Sequence, residues 1–478
     1  MVGHIQGKDR FQEMYTTTRL EDYVKENSIC RVIDAFVDSL DLKTEGFENT
    51  QPQYVGRPAF DPGDLLKLYI YGYLYQLRSS RRLQREAEIN QEVMWLIKGL
   101  TPDDRTLCYF FANNTEAIKK VFRDFNKKCL ALGLFGREMV SIDGTKTKAD
   151  NSRKNYYTKD DIEKKIEKLD SQITTFIKEM EENDRNDADE EKVEDANITS
   201  EILEAFKTKK EKLEEVLKEI DENEGNPVCT VDKDAALMKL SGGKGFDICY
   251  NVQTAVDSKN GLVVDFYITN NCNDMAELSQ MAGCAKDMLE AEELVVLADT
   301  GYSNGKEIDA CEKDEITCYI PKPKTTHQPE NEKYHRDNFK YDAEKDQYTC
   351  PEGNTLDYVR TRERNGNRVY ANRPACMSCP SKDKCTKADA LREIERNPYQ
   401  ESVDRANENA KGNPDIYQRR QMLSEHPFGV IKQKWKQNQY TRRGKEKVKG
   451  ETALSFLAFN LRRAVNILGT KTILEALV

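Results

Sequence analysis

Between Lys159 and Glu224 the chain sets apolar residues at Ile162, Ile166, Leu169, Ile173, Phe176 and Met180. It does so again at Ile202, Phe206, Leu213, Val216 and Ile220. The spacing alternates four and three, the a/d seam of a coiled coil, and Lys209 alone interrupts the second seam. So narrow a seam is buried only against another like it. The stretch is thereby confined to two helices of roughly 22 residues, each about 33 Å long, folded back as an antiparallel hairpin. Thr158 and Asp161 resemble a capping box at its start, and Asn223 to Pro227 end it. The charged run from Asn183 to Asn197 reads as the turn. Residues 159–225 are therefore a coiled-coil hairpin insertion. The plainest role is a solvated arm; the sharper one is contact with a second protomer or with DNA.

The arm also distorts the charge balance. The 478 residues carry 74 Lys and Arg against 84 Asp and Glu, a formal net charge of -10. An acidic average ordinarily argues against a nucleic-acid partner. The arm alone holds 24 acidic and 12 basic residues, so everything else carries +2. Tyr417 to Lys471 holds 13 basic and 3 acidic residues, a strongly basic tail. At 38% hydrophobic, the chain can still build real cores. No apolar stretch is long enough to span a bilayer, and Met1 to Arg10 has no apolar core of a secretion signal. The thirteen cysteines, an odd number, favour a reducing cytoplasm over a disulfide scaffold.

Residues 1–135 read as a helical domain. Asp64 to Leu77 is an apolar, Tyr-rich buried helix, Arg78 opens another through Glu92, and Thr101 to Asp104 is a loop with an N-cap. This fits a helix-turn-helix-like DNA binder and a plain helical bundle equally well. From Glu138 the texture becomes α/β. Glu138 to Asp143 reads as a short strand ending in an acid. Phe246 to Val256 and Leu262 to Thr269 read as a hairpin, Met275 to Leu289 as a helix, and Glu293 to Ala298 as a strand ending at Asp299. Gln418 to Trp435 and Thr452 to Leu468 read as helical. The α/β domain then comprises 136–158, 226–325 and 400–470, with 326–399 as a Cys-rich insert.

Asp143 and Asp299 each end an apolar, β-rich run and precede a small-residue turn. Ligand crevices of α/β sheets lie at the carboxyl ends of strands, and two such acids can hold Mg²⁺ beside a phosphate. A third acid is then expected. Glu425 lies among basic residues, with Lys432 two helical turns on and so on the same face. Asp257 and Asp274 compete as the second acid on position alone, although Asp274 can instead cap the following helix.

Ser141-Ile-Asp-Gly-Thr-Lys146, Tyr250-Asn-Val-Gln253, Ala298-Asp-Thr-Gly-Tyr302 and Glu425-His-Pro-Phe-Gly-Val-Ile-Lys432 carry a resemblance over nearly the whole chain. Arg443-Gly444, Glu451-Thr-Ala-Leu454, Gly56 to Pro62 and Leu65 to Arg82 extend it. The sequence resembles a DDE transposase of a bacterial insertion sequence, of the IS4- and IS5-type branch. The resemblance implies an RNase H-like catalytic domain holding two Mg²⁺ (or Mn²⁺) ions, which cleaves DNA and transfers strands. Its DNA partners would be terminal inverted repeats and a target, engaged by a homodimer in the nucleoid. It also implies Asp143, Asp299 and Glu425 as the metal-binding catalytic acids. Tyr417, Arg420 and Lys432 match a Tyr, Arg, Glu, Lys signature, with an Arg420-to-Glu425 gap one residue longer than in hairpin-forming members. Arg442 and Arg443 join them as DNA-contacting residues.

Cys350, Cys376, Cys379 and Cys385 follow at intervals of 25, 2 and 5 intervening residues. Four thiolates with one tight CxxC fit a structural Zn²⁺ site, with His327 and His335 as substitutes. The insert looks too short and polar to build its own core, so the metal would supply folding energy. Similar Cys-bearing inserts occur in the transposases that the chain resembles. Two other functions compete with transposition: a nuclease of the same fold without strand transfer, and a non-catalytic DNA-binding scaffold.

Overall fold

The structure, a computed structural model, describes residues 17–51, 58–186, 193–240, 245–323, 331–387 and 391–477, without side chains at 179–186 and 193–200. The chain divides into two compact units, Phe135–Lys445 and Met1–Leu134 with Glu446–Val478.

The terminal unit is helical. It runs through α1 (Ile29–Asp38), α2 (Leu42–Glu45), α3 (Pro62–Leu74), α4 (Ser80–Ile89), α5 (Gln91–Leu96), α6 (Asp104–Asn113) and α7 (Thr115–Ala131). The Tyr-rich run is α3, buried at every residue. Pro62 sits in its first turn, where a missing N–H costs nothing, and Asp61 accepts from the Gly63 N–H. A Cβ on Gly72 would stand 2.5 Å from Leu83 Cδ2 and 2.7 Å from the Leu77 carbonyl, so α3 and α4 meet where only glycine fits. The single helix expected from Arg78 to Glu92 is two, because Asn90 stops α4 and caps α5 by accepting from Glu92 and Val93. Asp103 caps α6 as expected.

The C-terminal helix, Lys445–Leu477 with a break at Gly469, belongs to this unit. Phe456 packs near Phe122, Asn460 hydrogen-bonds the buried Asn126 at 2.8 Å, and Glu451, 1% exposed, pairs with Arg78 at 2.9 Å. Residues after Lys445 thus leave the α/β domain, which the spacing extends to residue 470. From Gly450 to Leu461 every residue is buried, which a helix riding on one sheet face does not require.

The central unit holds β1 (Met139–Lys148), β2 (Tyr156–Tyr157), α8 (Lys159–Asn186), α9 (Val193–Glu222), β3 (Val228–Cys229), β4 (Ala236–Lys239), β5 (Phe246–Asp257), β6 (Val263–Thr269), α10 (Leu278–Leu289), β7 (Leu294–Leu297), α11 (Gly305–Lys313) and β8 (Ile316–Tyr319). α8 and α9 pair antiparallel: Lys159 meets Asp221 at 2.7 Å, Lys210 meets Asp170 at 2.5 Å, and Phe176 packs edge-on against Phe206. Ile162, Ile220 and Val228 close the base of the hairpin beside the β2–β3 ladder. The helices are longer than the seams alone suggest. They take in residues 183–186 and 193–197, where a loop is expected; residues 187–192 lie outside the described residues.

The main sheet has the order β4-β5-β1-β7-β8, with β6 also on β5. β1 is antiparallel to β5 and parallel to β7, which is parallel to β8. β1 does not end at Asp143. It continues to Lys148 because its pairing with β5 persists to Lys148 opposite Cys249. The insert forms a second, antiparallel sheet of β9 (Lys340–Asp342), β10 (Gln347–Thr349), β11 (Thr355–Thr361), β12 (Arg368–Ala371) and β13 (Ile394–Arg396), with α12 (Arg373–Met377) and α13 (Lys382–Cys385). It does build a core, from Phe339, Tyr348, Leu356, Tyr370 and Ile394. Aromatic rings supply the area that its few aliphatic residues cannot. Asp346 ties Tyr341, Tyr370 and Arg368 together above it. α14 (Gln400–Gly412) and α15 (Pro414–Phe428) return the chain to the main sheet.

Candidate active site

Strand register sets the first two acids. Val140 lies opposite Val296 and Ser141 opposite Leu297 in the parallel β1–β7 pair, and continuing that register brings Asp143 level with Asp299. Each carboxylate is tied to the chain just after it. Asp143 Oδ1 accepts from the Gly144 N–H at 2.9 Å and Asp299 Oδ1 from the Gly301 N–H at 2.7 Å. Burial and the neighbouring Asp299 charge push the Asp143 carboxyl up to about 6, against the opposing pull of Arg420, the Ser424 hydroxyl and the Gly144 N–H.

α15 lies on the face of β1 that carries Ser141, Asp143 and Thr145. Ser141 Oγ donates to the Arg420 carbonyl at 3.3 Å, and the Tyr417 hydroxyl donates to the Ala298 carbonyl, one residue before Asp299, at 3.3 Å. Arg420 stands over the Tyr417 ring. Burial raises the Tyr417 phenol, with Arg420 opposing and Asp299 reinforcing. Past Pro427 the helix opens into a wider π turn, Gly429–Lys434. A π turn takes in one residue more than an α turn, so it shifts the helix phase. Lys432 therefore lines up with Ser424 rather than with Glu425. Its ammonium donates to Thr145 Oγ1 and to the Lys146 carbonyl, both at 2.7 Å. Burial pulls its pKa down to about 8, against the Cys249 and Asp143 charges.

The structure thus gathers Asp143, Asp299, Tyr417, Arg420 and Lys432. It leaves Glu425 exposed on the neighbouring line of α15, its Oε1 accepting from Gln421 at 3.0 Å. The expectation that Glu425 and Lys432 share a face fails because of the π turn. Ser424, which sequence reasoning missed, takes the inward position; a serine inside a helix carries no signal of its own. Arg443 is bound to Asp150, at 2.9 Å, and Arg442 is half-buried. Asp257 is fully buried and accepts from the Gly136 and Lys259 N–H groups, a turn-building role. Asp274 caps no helix: its carboxylate accepts from Asn251 at 2.7 Å and Gln253 at 2.6 Å.

In the insert, Cys350, Cys376, Cys379 and Cys385 all line one cavity beneath the small sheet. Cys350 starts a turn closed by the Gly353 N–H, and the Cys379 N–H bonds the Cys376 carbonyl. His335 is not among the residues that line it, and His327 lies outside the described residues. Among the described residues no three His, Cys, Asp or Glu side chains already stand at metal-ligating positions. No disulfide joins any of the thirteen cysteines, and no described helix is long and apolar enough to cross a membrane.

Two protein families match the chain. A family described as Transposase DDE domain matches residues 349–465, and one described as Transposase domain (DUF772) matches residues 18–113. No curated protein and no solved structure matches.

Proposed function

We propose, on the premise that these two domains mark the chain as a DDE transposase of an insertion sequence, that it cuts DNA at the ends of its element and joins the freed strand to a target. The observation that carries this reading is the pairing of Asp143 with Asp299 on adjacent parallel strands, walled by Arg420, Tyr417 and Lys432. The strand order, three antiparallel strands continued by two parallel ones, supports an RNase H-like domain for residues 135–445.

The two carboxylates offer the hard oxygen donors that Mg²⁺ or Mn²⁺ prefers. Asp143 and Asp299 would hold one ion, and Glu425, released from Gln421, would complete the set for a second. Bound there, such ions polarise phosphoryl oxygen and activate the attacking water or 3′-hydroxyl. The protein's own groups do the rest. Arg420 and Lys432 neutralise the scissile phosphate, Tyr417 sets the edge of the cleft, and the Gly144 and Gly301 N–H groups keep the carboxylates in place. Arg81, Arg82 and Arg85, exposed on α4, give the helical unit a basic face for the terminal repeats. Acting on two ends calls for a homodimer on DNA, in the cytoplasm where the nucleoid lies.

The test is cleavage of a plasmid bearing the inverted repeats that bracket the coding sequence. Mg²⁺-dependent cuts at the repeat ends, followed by joined products, are expected. Cuts without joining identify a nuclease, and neither product leaves only a DNA-binding scaffold. The four cysteines around one cavity support a structural Zn²⁺ that draws them together. Metal analysis of the purified chain is expected to give one Zn²⁺ per chain, lost in Cys379→Ser; a metal-free, fully folded chain overturns this.

A further inference from the structure

Behind the acid pair, on the face of β1 opposite the Asp143 side chain, lies a connected polar cluster. Asn251 and Gln253 are neighbours on one face of β5, and both are fully buried. Both donate to Asp274 Oδ1, at 2.7 and 2.6 Å. Gln253 also accepts from the hydroxyl of Tyr302 at 2.5 Å, and Tyr302 is itself fully buried. Gly144 faces Gln253 across the ladder, and a Cβ there would overlap both Asp274 Oδ1 and Gln253 Nε2. The residue after the first acid is therefore glycine because this cluster presses against it. At the other end, the Tyr302 N–H bonds the Asp299 carbonyl at 3.2 Å, closing the turn that holds the second acid.

Stability alone does not explain such a cluster. Asn251 Oδ1 is buried with no hydrogen-bond partner, a desolvation cost that nothing in the cluster recovers. An apolar packing of the same volume would avoid that cost. What the cluster provides is a fixed path of contacts from Gly144 through Gln253 and Tyr302 to the Asp299 turn.

We propose that Asp274, Gln253 and Tyr302 are positioning residues that lock β1 at Gly144 and the Asp299–Tyr302 turn in one register, so that the two carboxylates present together. This rests on the reading of Asp143 and Asp299 as the catalytic acids. The experiment compares Tyr302→Phe, Asp274→Asn and Asp143→Asn in the full chain on the repeat-bearing plasmid. It measures cleavage rate, Mg²⁺ half-saturation, KM for DNA and thermal midpoint. Tyr302→Phe should stay folded with an unchanged KM, cleave about 10-fold to 10²-fold more slowly, and need more Mg²⁺. Added Mg²⁺ should partly restore its rate. Asp274→Asn should move the same readouts further.

A lower thermal midpoint with unchanged rate and Mg²⁺ requirement would make the cluster merely structural and overturn the proposal. So would an Asp274→Asn variant that loses metal binding as completely as Asp143→Asn, which would make Asp274 a ligand. Failure of the underlying functional reading looks different: Asp143→Asn would then leave cleavage intact whatever Tyr302→Phe does.

Discussion

The site is assembled from two regions that are positioned by different means. Asp143 and Asp299 are placed by strand register, which advances in steps of two and is pinned by the ladders on either side. Glu425 and Lys432 are placed by helix phase, and one extra residue in the turn at Gly429–Lys434 rotates everything beyond it. The strand acids consequently face each other with their carboxylates already tied to backbone N–H groups. On the helix, the inward line carries Ser424 and Lys432, and Glu425 stands one step aside with Gln421. Register fixes the part of the site that must not move. Helix phase leaves Glu425, the proposed third acid, at a position from which only side-chain rotation would bring it to the pair.

The sharpest way to break this contrast is to neutralise each acid in turn. Asp143→Asn, Asp299→Asn and Glu425→Gln should each lower DNA cleavage by about 10³-fold, since each removes several kcal/mol of charge stabilisation. Gel-shift affinity for the repeats should hold in all three. Full activity in Glu425→Gln would leave the strand pair as the whole catalytic set.

Lys432→Met should cost less, about 10²-fold in cleavage rate, the loss expected on removing one preorganised donor. Lys432→Arg should not rescue it, because the longer planar head does not fit between Thr145 and the Lys146 carbonyl. Rescue by arginine would show that only charge matters there and that the π turn does not aim the group.

The pH profile gives a finer view. On the proposed mechanism cleavage needs Asp143 ionised and Lys432 charged, so the rate should fall below about pH 6 and again above about pH 8. Lys432→Met should flatten the upper limb alone.

The smallest effect is on stability. Because the Asp143 carboxyl is raised in the folded chain, its contribution is fully present below its unfolded pKa and is lost as pH rises through about 6. At pH 7 Asp143→Asn should therefore stabilise the central unit by on the order of 1 kcal/mol, allowing for solvent screening. Thermal melts at pH 5 and pH 7 check this, with the difference expected to shrink at the lower value.

Much of this was legible in the residues. The Val, Tyr, Ile and Phe richness of Phe246–Asp257 and Val263–Thr269 around the turn between them announces a hairpin, and the period of the arm announces two helices, because both depend on local pattern. Asp143 and Asp299 were visible as acids after apolar runs, though β1 runs on past Asp143 because its continuation is fixed by β5 rather than by its own sequence. Three features were not legible. The π turn follows Pro427, which marks a disturbance in the helix, but no periodicity says how far the helix phase shifts beyond it. The home of residues after Lys445 depends on which partner buries them, and the apolar run within that helix does not name its partner. The link from Gly144 to Tyr302 joins residues distant in sequence, so only the fold shows that Asp274 presses on the strand instead of capping a helix.

Metal binding without DNA tests the central claim most directly. Calorimetric titration of the purified chain with Mn²⁺ should show a tight site that is lost in Asp143→Asn and in Asp299→Asn and retained in Glu425→Gln. Unchanged Mn²⁺ binding in Asp143→Asn, or loss confined to Glu425→Gln, would contradict a site founded on the two register-matched strand acids.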